Sequence, residues 1–480
     1  MTDQKNTNLK SGTWGIVGVT ALGAVMMSPA LGIFGNFGPI ALTAGNTTPL
    51  IYLLALLVTL PTAINFAMVS KEMPSSGSAY TWLWETTNPF IGIWIGWLLF
   101  GFFLIVVFLQ PLLFGLFFND LLRLLNVEVN YSHFVISIVL SSLIVAFFTY
   151  RGGNVSEKGS LADLLIQMIL VLALALTVII SVIINKNIDT ASLLSSSASG
   201  GGLTGISQAL IFGILSFTGF NVIANMAEET KNPKKTIPRA IVLSCIIVGL
   251  YWIIVSWAYL IAIPLEQIKD AVRSDIVPVV LIAKKFWGVG DILIILTGLI
   301  ASLGVYLATV LGSSRVIFAM ARDGAMTHSL GKLNTRYQTP WNSLHITFVF
   351  TFIFVLIPAA IFGIYFTYMW WAKAVVFFIL VIYIFVSIAN PLFYYRFRKP
   401  EFSIFWNGIM GLVSLVINGY LLYKAFFVDC WKDDWINGKS VVVFALFWMV
   451  TGVLYVIRLK RGSPGLFLKK ANYLDFNDNK

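Results

Sequence analysis

The chain has 480 residues, of which 58% are hydrophobic and 11% charged, and it carries a formal net charge of +11. Soluble proteins carry about 25% charged residues, so a chain this poor in them lacks the polar surface for water-facing domains. That excludes a separate catalytic or nucleic-acid-binding domain and predicts an all-α integral membrane protein of about twelve spans, each of about 20 residues.

The first apolar stretch, 14–40, is longer than a signal-peptide core and lacks a clear small-residue cleavage site, so it is expected to stay as the first span. It is broken at Ser28-Pro29-Ala30-Leu31-Gly32, because Pro29 has no amide hydrogen and Gly32 accepts conformations other residues resist. Backbone groups freed at mid-membrane are tolerated against protein or a polar cavity, which makes the break a candidate binding site, with a simple kink as the alternative. Spans follow at 48–70, 91–117, 133–150 and 161–184. The sixth, 205–227, holds a second interruption where Gly213 and Gly219 bracket Ser216, Phe217 and Thr218. The rest fall at 237–263, 289–320, 342–361, 365–395, 404–427 and 440–457.

With both termini inside, 22 Lys and Arg lie on the inner side and 9 on the outer. Basic residues favour the cytoplasmic face of membrane proteins, so the net charge is a topology signal and predicts cytoplasmic N- and C-termini in the plasma membrane. Cys245 lies inside the seventh span and Cys430 in an outer loop, so they are not expected to pair. His133, His328 and His345 lack metal-ligand spacing, and no metal or other cofactor is expected.

If the first ten spans form two repeats of five, 13–186 and 205–395, with 403–457 adding two helices to a single domain spanning 1–480, the two broken helices correspond. Paired broken helices point to a transporter site, where half-helix amides receive a carboxylate and exposed carbonyls receive an ammonium group.

Three motifs on the predicted inner side carry a resemblance. They are Pro74-Ser75-Ser76-Gly77-Ser78-Ala79-Tyr80, the run from Glu228-Glu229-Thr230-Lys231-Asn232-Pro233 to Arg239-Ala240, and Arg315 through Arg322-Asp323-Gly324. The chain resembles the amino acid-polyamine-organocation transporter family from about Trp14 to Tyr395. The resemblance implies a LeuT-type inverted repeat of five plus five helices, two C-terminal helices, broken helices one and six, and alternating access around a central site. Glu228, Glu229, Lys231, Lys234, Lys235 and Arg239 are expected to form inner ion pairs.

Where many relatives carry Gly-Ser-Gly-Ile-Phe, this chain has Ala30-Leu31-Gly32-Ile33-Phe34, so the usual hydroxyl is missing and Ser28 is its candidate replacement. Where many carry Gly-Phe-Glu, it has Gly219-Phe220-Asn221, and Asn does not titrate. Some proton-coupled relatives have a lysine midway along helix five, where this chain is apolar around Leu170. Asp163 at the inner end of that helix, Ser302 in helix eight and Lys373 in helix ten remain as coupling or charge candidates. For Lys373 the alternatives are a partner for an acidic substrate, a fixed cation, or a snorkelling side chain. For Ser302 they are a sodium ligand or a bond back to its own helix.

The expected function is exchange or secondary active transport of amino acids, neutral ones favoured. Ser28, Ala30, Leu31 and Gly32 are placed around the carboxylate, Gly213, Ser216 and Thr218 near the ammonium, and Phe217 is either a cover over the substrate or plain helix packing. Gly219 and Asn221 complete the set. Proton- or sodium-coupled symport, a polyamine or organic-cation carrier, and a non-transporting amino acid sensor stay open. A channel lacks its filter sequence here, and a membrane enzyme lacks convergent catalytic side chains. The partners expected are a small amino acid and the lipid bilayer, with no nucleic acid.

Overall fold

A computed structural model describes residues 15–75, 77–151, 157–184, 202–334 and 339–468. Ser76, the ends of the proposed first repeat (13–14 and 185–186) and the side chains of Glu228, Glu229, Arg315 and Arg322 lie outside the described residues. Among the described residues the chain is helical without strands, and twelve helices are long and apolar enough to cross a membrane. Helices satisfy the backbone within one segment, which hydrocarbon demands.

Helix one occupies 16–44 in three pieces, Ile16–Met27, Leu31–Phe34 and Phe37–Ala44. Helix two is Thr48–Glu72, three Pro89–Leu124, four Tyr131–Tyr150 and five Glu157–Ile184. Helix six comprises Gly202–Phe217 and a tighter 3₁₀ stretch, Phe220–Glu229. Helix seven is Pro233–Ala262, eight Asp291–Arg322, nine Trp341–Phe362 and ten Ile364–Phe397. Helix eleven runs through 404–432 and helix twelve through 435–462. This is the LeuT-type bundle expected from the sequence.

Helices one, six and ten are the most enclosed, with 78, 89 and 78% of their apolar stretches buried, against 28% in helices five and twelve. Broken backbone therefore sits at the centre, behind a wall of regular helices, as an apolar solvent requires.

Two boundaries differ from the sequence expectation. Helix one bends again at Gly35-Asn36 and extends to Ala44, and helix eleven reaches Lys432, so Cys430 is buried within a helix and not in a loop. Helix eleven contains the wider π stretches Ile404–Ile409 and Leu422–Asp429. The second places Lys424 beside Asp429, whose carboxylate also accepts from Ser207 of helix six. Further along, Thr62 of helix two bonds Ser414 of helix eleven (2.8 Å), and Asn390 of helix ten bonds Asn65 of helix two (2.7 Å) and Asn407 of helix eleven (2.9 Å). This buried polar ladder fixes helix eleven on helices two and ten.

Two of the three motifs meet. The Tyr80 hydroxyl donates to Asp323 Oδ2 at 3.2 Å, joining the stretch before helix three to the end of helix eight. The ion pairs expected in the remaining motif run from Lys231, Lys234, Lys235 and Arg239 to Glu228 and Glu229, whose side chains lie outside the described residues.

Candidate functional site

Ser28 adopts φ +46°, a conformation that costs a non-glycine residue energy, and Pro29 then withholds its amide. The helix stops there. The Ser28 hydroxyl accepts the Leu31 amide at 3.3 Å, starting the next helical piece, and donates to Gln167 Oε1 of helix five at 2.8 Å. The Ala30 amide also donates to Gln167 Oε1 (3.3 Å), while the Gly32 amide bonds Ser28 O (2.8 Å). The amides expected to receive a substrate carboxylate are thus bonded within the protein here, a side-chain carboxamide holding the one the helix cannot reach.

The carbonyls of the break are matched as well. Pro29 O accepts from the Trp252 indole of helix seven (3.0 Å), and Gly32 O from the Tyr52 hydroxyl of helix two (2.8 Å). Asn36, at the second bend, donates to Ser216 Oγ of helix six (2.8 Å) and accepts from Tyr368 of helix ten (2.8 Å). Tyr368 is aimed by the start of its helix, where the Asp275 carboxylate caps the amides of Ile364 (3.2 Å) and Tyr365 (2.7 Å). Helices one, six and ten are thereby tied together over one side of the breaks.

Between the breaks lies a cavity with about 70 Å³ open to the centres of water molecules, closed on further sides by helices three and eight. Of the residues expected at the site, Ser28, Leu31, Gly32, Ser216, Thr218 and Gly219 line it. Ala30 stands behind, on Gln167. Gly213 lies inside a regular stretch of helix six, where an added Cβ would sit 2.9 Å from Ala55 Cβ, so it serves packing against helix two and the break narrows to Thr218-Gly219. Phe217 points away from the cavity and meets Trp252 edge-on at 5.0 Å, because a helix turns about 100° per residue and Ser216 takes the inward direction. Asn221 lines a separate, smaller cavity and shares only the Phe103 wall with the first.

The two site glycines are there for close approach. A Cβ on Gly32 would fall into the Trp252 indole, and one on Gly219 would overlap the backbone of Met26 and Met27. Neither has a positive φ; in the first break Ser28 does.

The charge candidates separate. Lys373 Nζ donates to Asn437 O at 2.7 Å and lies 3.9 Å from Asp433, in the connection between helices eleven and twelve, which is the snorkelling arrangement. Burial raises the Asp433 carboxyl above its usual range, while Lys373 pulls it down. Ser302 donates back to Leu299 O (2.9 Å). Asp163 Oδ2 accepts from Gln167 Nε2 at 3.0 Å, so this carboxylate is one side chain away from the break, and its Oδ1 is buried with no hydrogen-bond partner among the described residues. Sequence reasoning missed Gln167, Asn36, Gln110, Tyr52, Trp252 and Tyr368. The signal for the first three was an amide side chain inside an apolar run.

No Asp, Glu, Lys, Arg or His lines the cavity among the described residues; its polar groups are hydroxyls, amides and backbone. A helical bundle with paired central breaks around such a cavity defines a multi-pass membrane transporter. Residues 15–458 match the family model described as amino acid permease, and the chain belongs to that family, within the amino acid-polyamine-organocation superfamily. A low-affinity putrescine importer of Escherichia coli is 26% identical over 335 residues, covering 68% of this chain and 70% of that protein. A branched-chain amino acid permease of Lactococcus lactis is 30% identical over 320 residues, covering 61% and 64%. Among solved structures, a manganese transporter of Eremococcus coleocola matches with a TM-score of 0.62 at 12% identity, covering 97% of this chain and all of that one, a likeness of fold.

Proposed function

We propose that the protein carries small neutral amino acids across the cytoplasmic membrane by alternating access, chiefly by exchange. The observation that carries this is the uncharged cavity between the breaks. An unpaired side-chain charge buried there would cost several kcal/mol, which disfavours lysine, arginine, aspartate and glutamate. A diamine such as the substrate named for the Escherichia coli relative would need carboxylates in the wall, and the described lining has none. The branched-chain permeases among the relatives are named for neutral substrates. Exchange is favoured because the described cavity wall holds no carboxylate, imidazole or amine to carry a proton. A second reading, proton symport, has one observation behind it: the run of hydrogen bonds from Asp163 through Gln167 to Ser28.

The test is uptake of a panel of labelled amino acids and putrescine into proteoliposomes that are empty, preloaded with unlabelled substrate, or empty under an inward proton gradient. Neutral amino acids should enter, faster after preloading. Putrescine winning the panel would replace the substrate class, and gradient-driven accumulation abolished by a protonophore would replace exchange by symport.

A further inference from the structure

On the helix-three wall of the cavity, in an otherwise apolar run, stands Gln110, 5% exposed. Its Nε2 reaches only Val106 O, at the 3.5 Å limit of a hydrogen bond, and its Oε1 is buried with no partner among the described residues. A buried amide left unmatched is costly, so a polar group with unused capacity at a cavity wall calls for a complement. The other polar side chain of this part of the wall, Thr309 of helix eight, already donates to Val305 O (2.8 Å) and is left as an acceptor. Around them Phe102, Phe103, Val106 and Leu113 supply apolar surface. The opposite wall carries the broken backbone, where the common part of every amino acid belongs, so the wall formed by helices three and eight is left to face the part that differs.

We infer that Gln110 is a specificity-determining residue that reads the substrate side chain and favours a short one carrying a hydroxyl or carboxamide over an aliphatic one of the same size. The inference rests on the neutral amino acid reading and narrows it. An aliphatic side chain filling the cavity strands the amide without water, whereas a hydroxyl donates its one proton to Oε1, and a carboxamide has a second N–H for the acceptor left on Thr309. The small cavity restricts the class to side chains of about the size of threonine's.

Threonine and valine differ by a hydroxyl in place of a methyl at nearly constant shape, so their comparison isolates the effect. The experiment measures uptake efficiency, kcat/KM, for labelled threonine and valine in proteoliposomes of the wild-type protein and of Gln110→Met, with Gln110→Leu as a second variant should the first fail to insert. Wild type should favour threonine by about tenfold, and the ratio should fall to about one in the variant, chiefly through KM for threonine. Valine carried as well as threonine or better by the wild type, or a ratio unmoved by removal of the amide, overturns the assignment while leaving neutral amino acid transport standing. A carrier that takes putrescine and no neutral amino acid overturns both.

Discussion

Gln167 of helix five accepts the hydroxyl proton of Ser28 at 2.8 Å and the amide proton of Ala30 at 3.3 Å, across 139 and 137 residues of sequence. One carboxamide oxygen thus completes the backbone of a helix broken in the middle of a membrane. Replacing it by leucine leaves a buried hydroxyl and amide without a partner, at about 1 to 3 kcal/mol for such a group. Gln167→Leu is expected to lower the thermal midpoint in detergent and to cut uptake at least tenfold. A variant with wild-type midpoint and flux would show that the break stands without it.

The two site glycines should respond differently to relief. Gly32→Ala meets the Trp252 ring, a side chain that mutation removes, while Gly219→Ala meets backbone. Overpacking of this kind costs about 1 to 3 kcal/mol. Both single variants are expected to lose transport. In a Trp252→Ala background the added cost of Gly32→Ala should shrink, and that of Gly219→Ala should not, as read by a double-mutant cycle on thermal midpoints. Equal additivity at both positions would contradict the contacts.

Lys373 bonds to Asn437 and faces Asp433, away from the cavity. Lys373→Met should leave uptake of a neutral substrate within about twofold of wild type, since neither Lys373 nor its partners line the cavity. Competition by glutamate is the check: glutamate outcompeting neutral substrates in the wild type, and losing that advantage in the variant, would return Lys373 to the site.

Asp163 separates the two modes of coupling. If transport is exchange, Asp163→Asn keeps counterflow within about twofold while preserving an acceptor for Gln167. Loss of gradient-driven uptake in the variant, with counterflow intact, would identify Asp163 as the proton carrier.

The bond from Tyr80 to Asp323 joins two motifs separated by 243 residues. Tyr80→Phe and Asp323→Asn should each change the transport rate, and the double variant should show no more than the larger single effect. Additive effects would mean that the two residues act apart.

The helices were legible because hydrocarbon leaves the backbone few choices, and each apolar run of about 20 residues has to be a span. The first break was legible because Pro29 removes a donor at a known place. What sequence could not separate was Gly213 from Gly219, or Ser216 from Phe217. A glycine that admits a neighbouring helix and one that admits a neighbouring break look alike until the opposite atoms are known, Ala55 for one and Met26 for the other. Adjacent residues of a helix point in different directions, and only the surroundings say which one faces the cavity. Gln167 and Gln110 were single amides in apolar helices, and no spacing rule connects the first to Ser28 across the fold or places the second on the cavity wall.

The ladder of Thr62, Asn65, Asn390, Asn407 and Ser414 bears on biogenesis. Helix eleven has the lowest mean hydropathy of the twelve, and alone in lipid it would expose Asn407, Ser414 and Asn418 to a solvent that offers them nothing. Their partners lie on helices two and ten, both of which leave the ribosome earlier. The order of synthesis therefore presents helix eleven with a docking surface already made, and its entry into the bilayer is an act of assembly on the existing bundle more than one of partitioning into lipid.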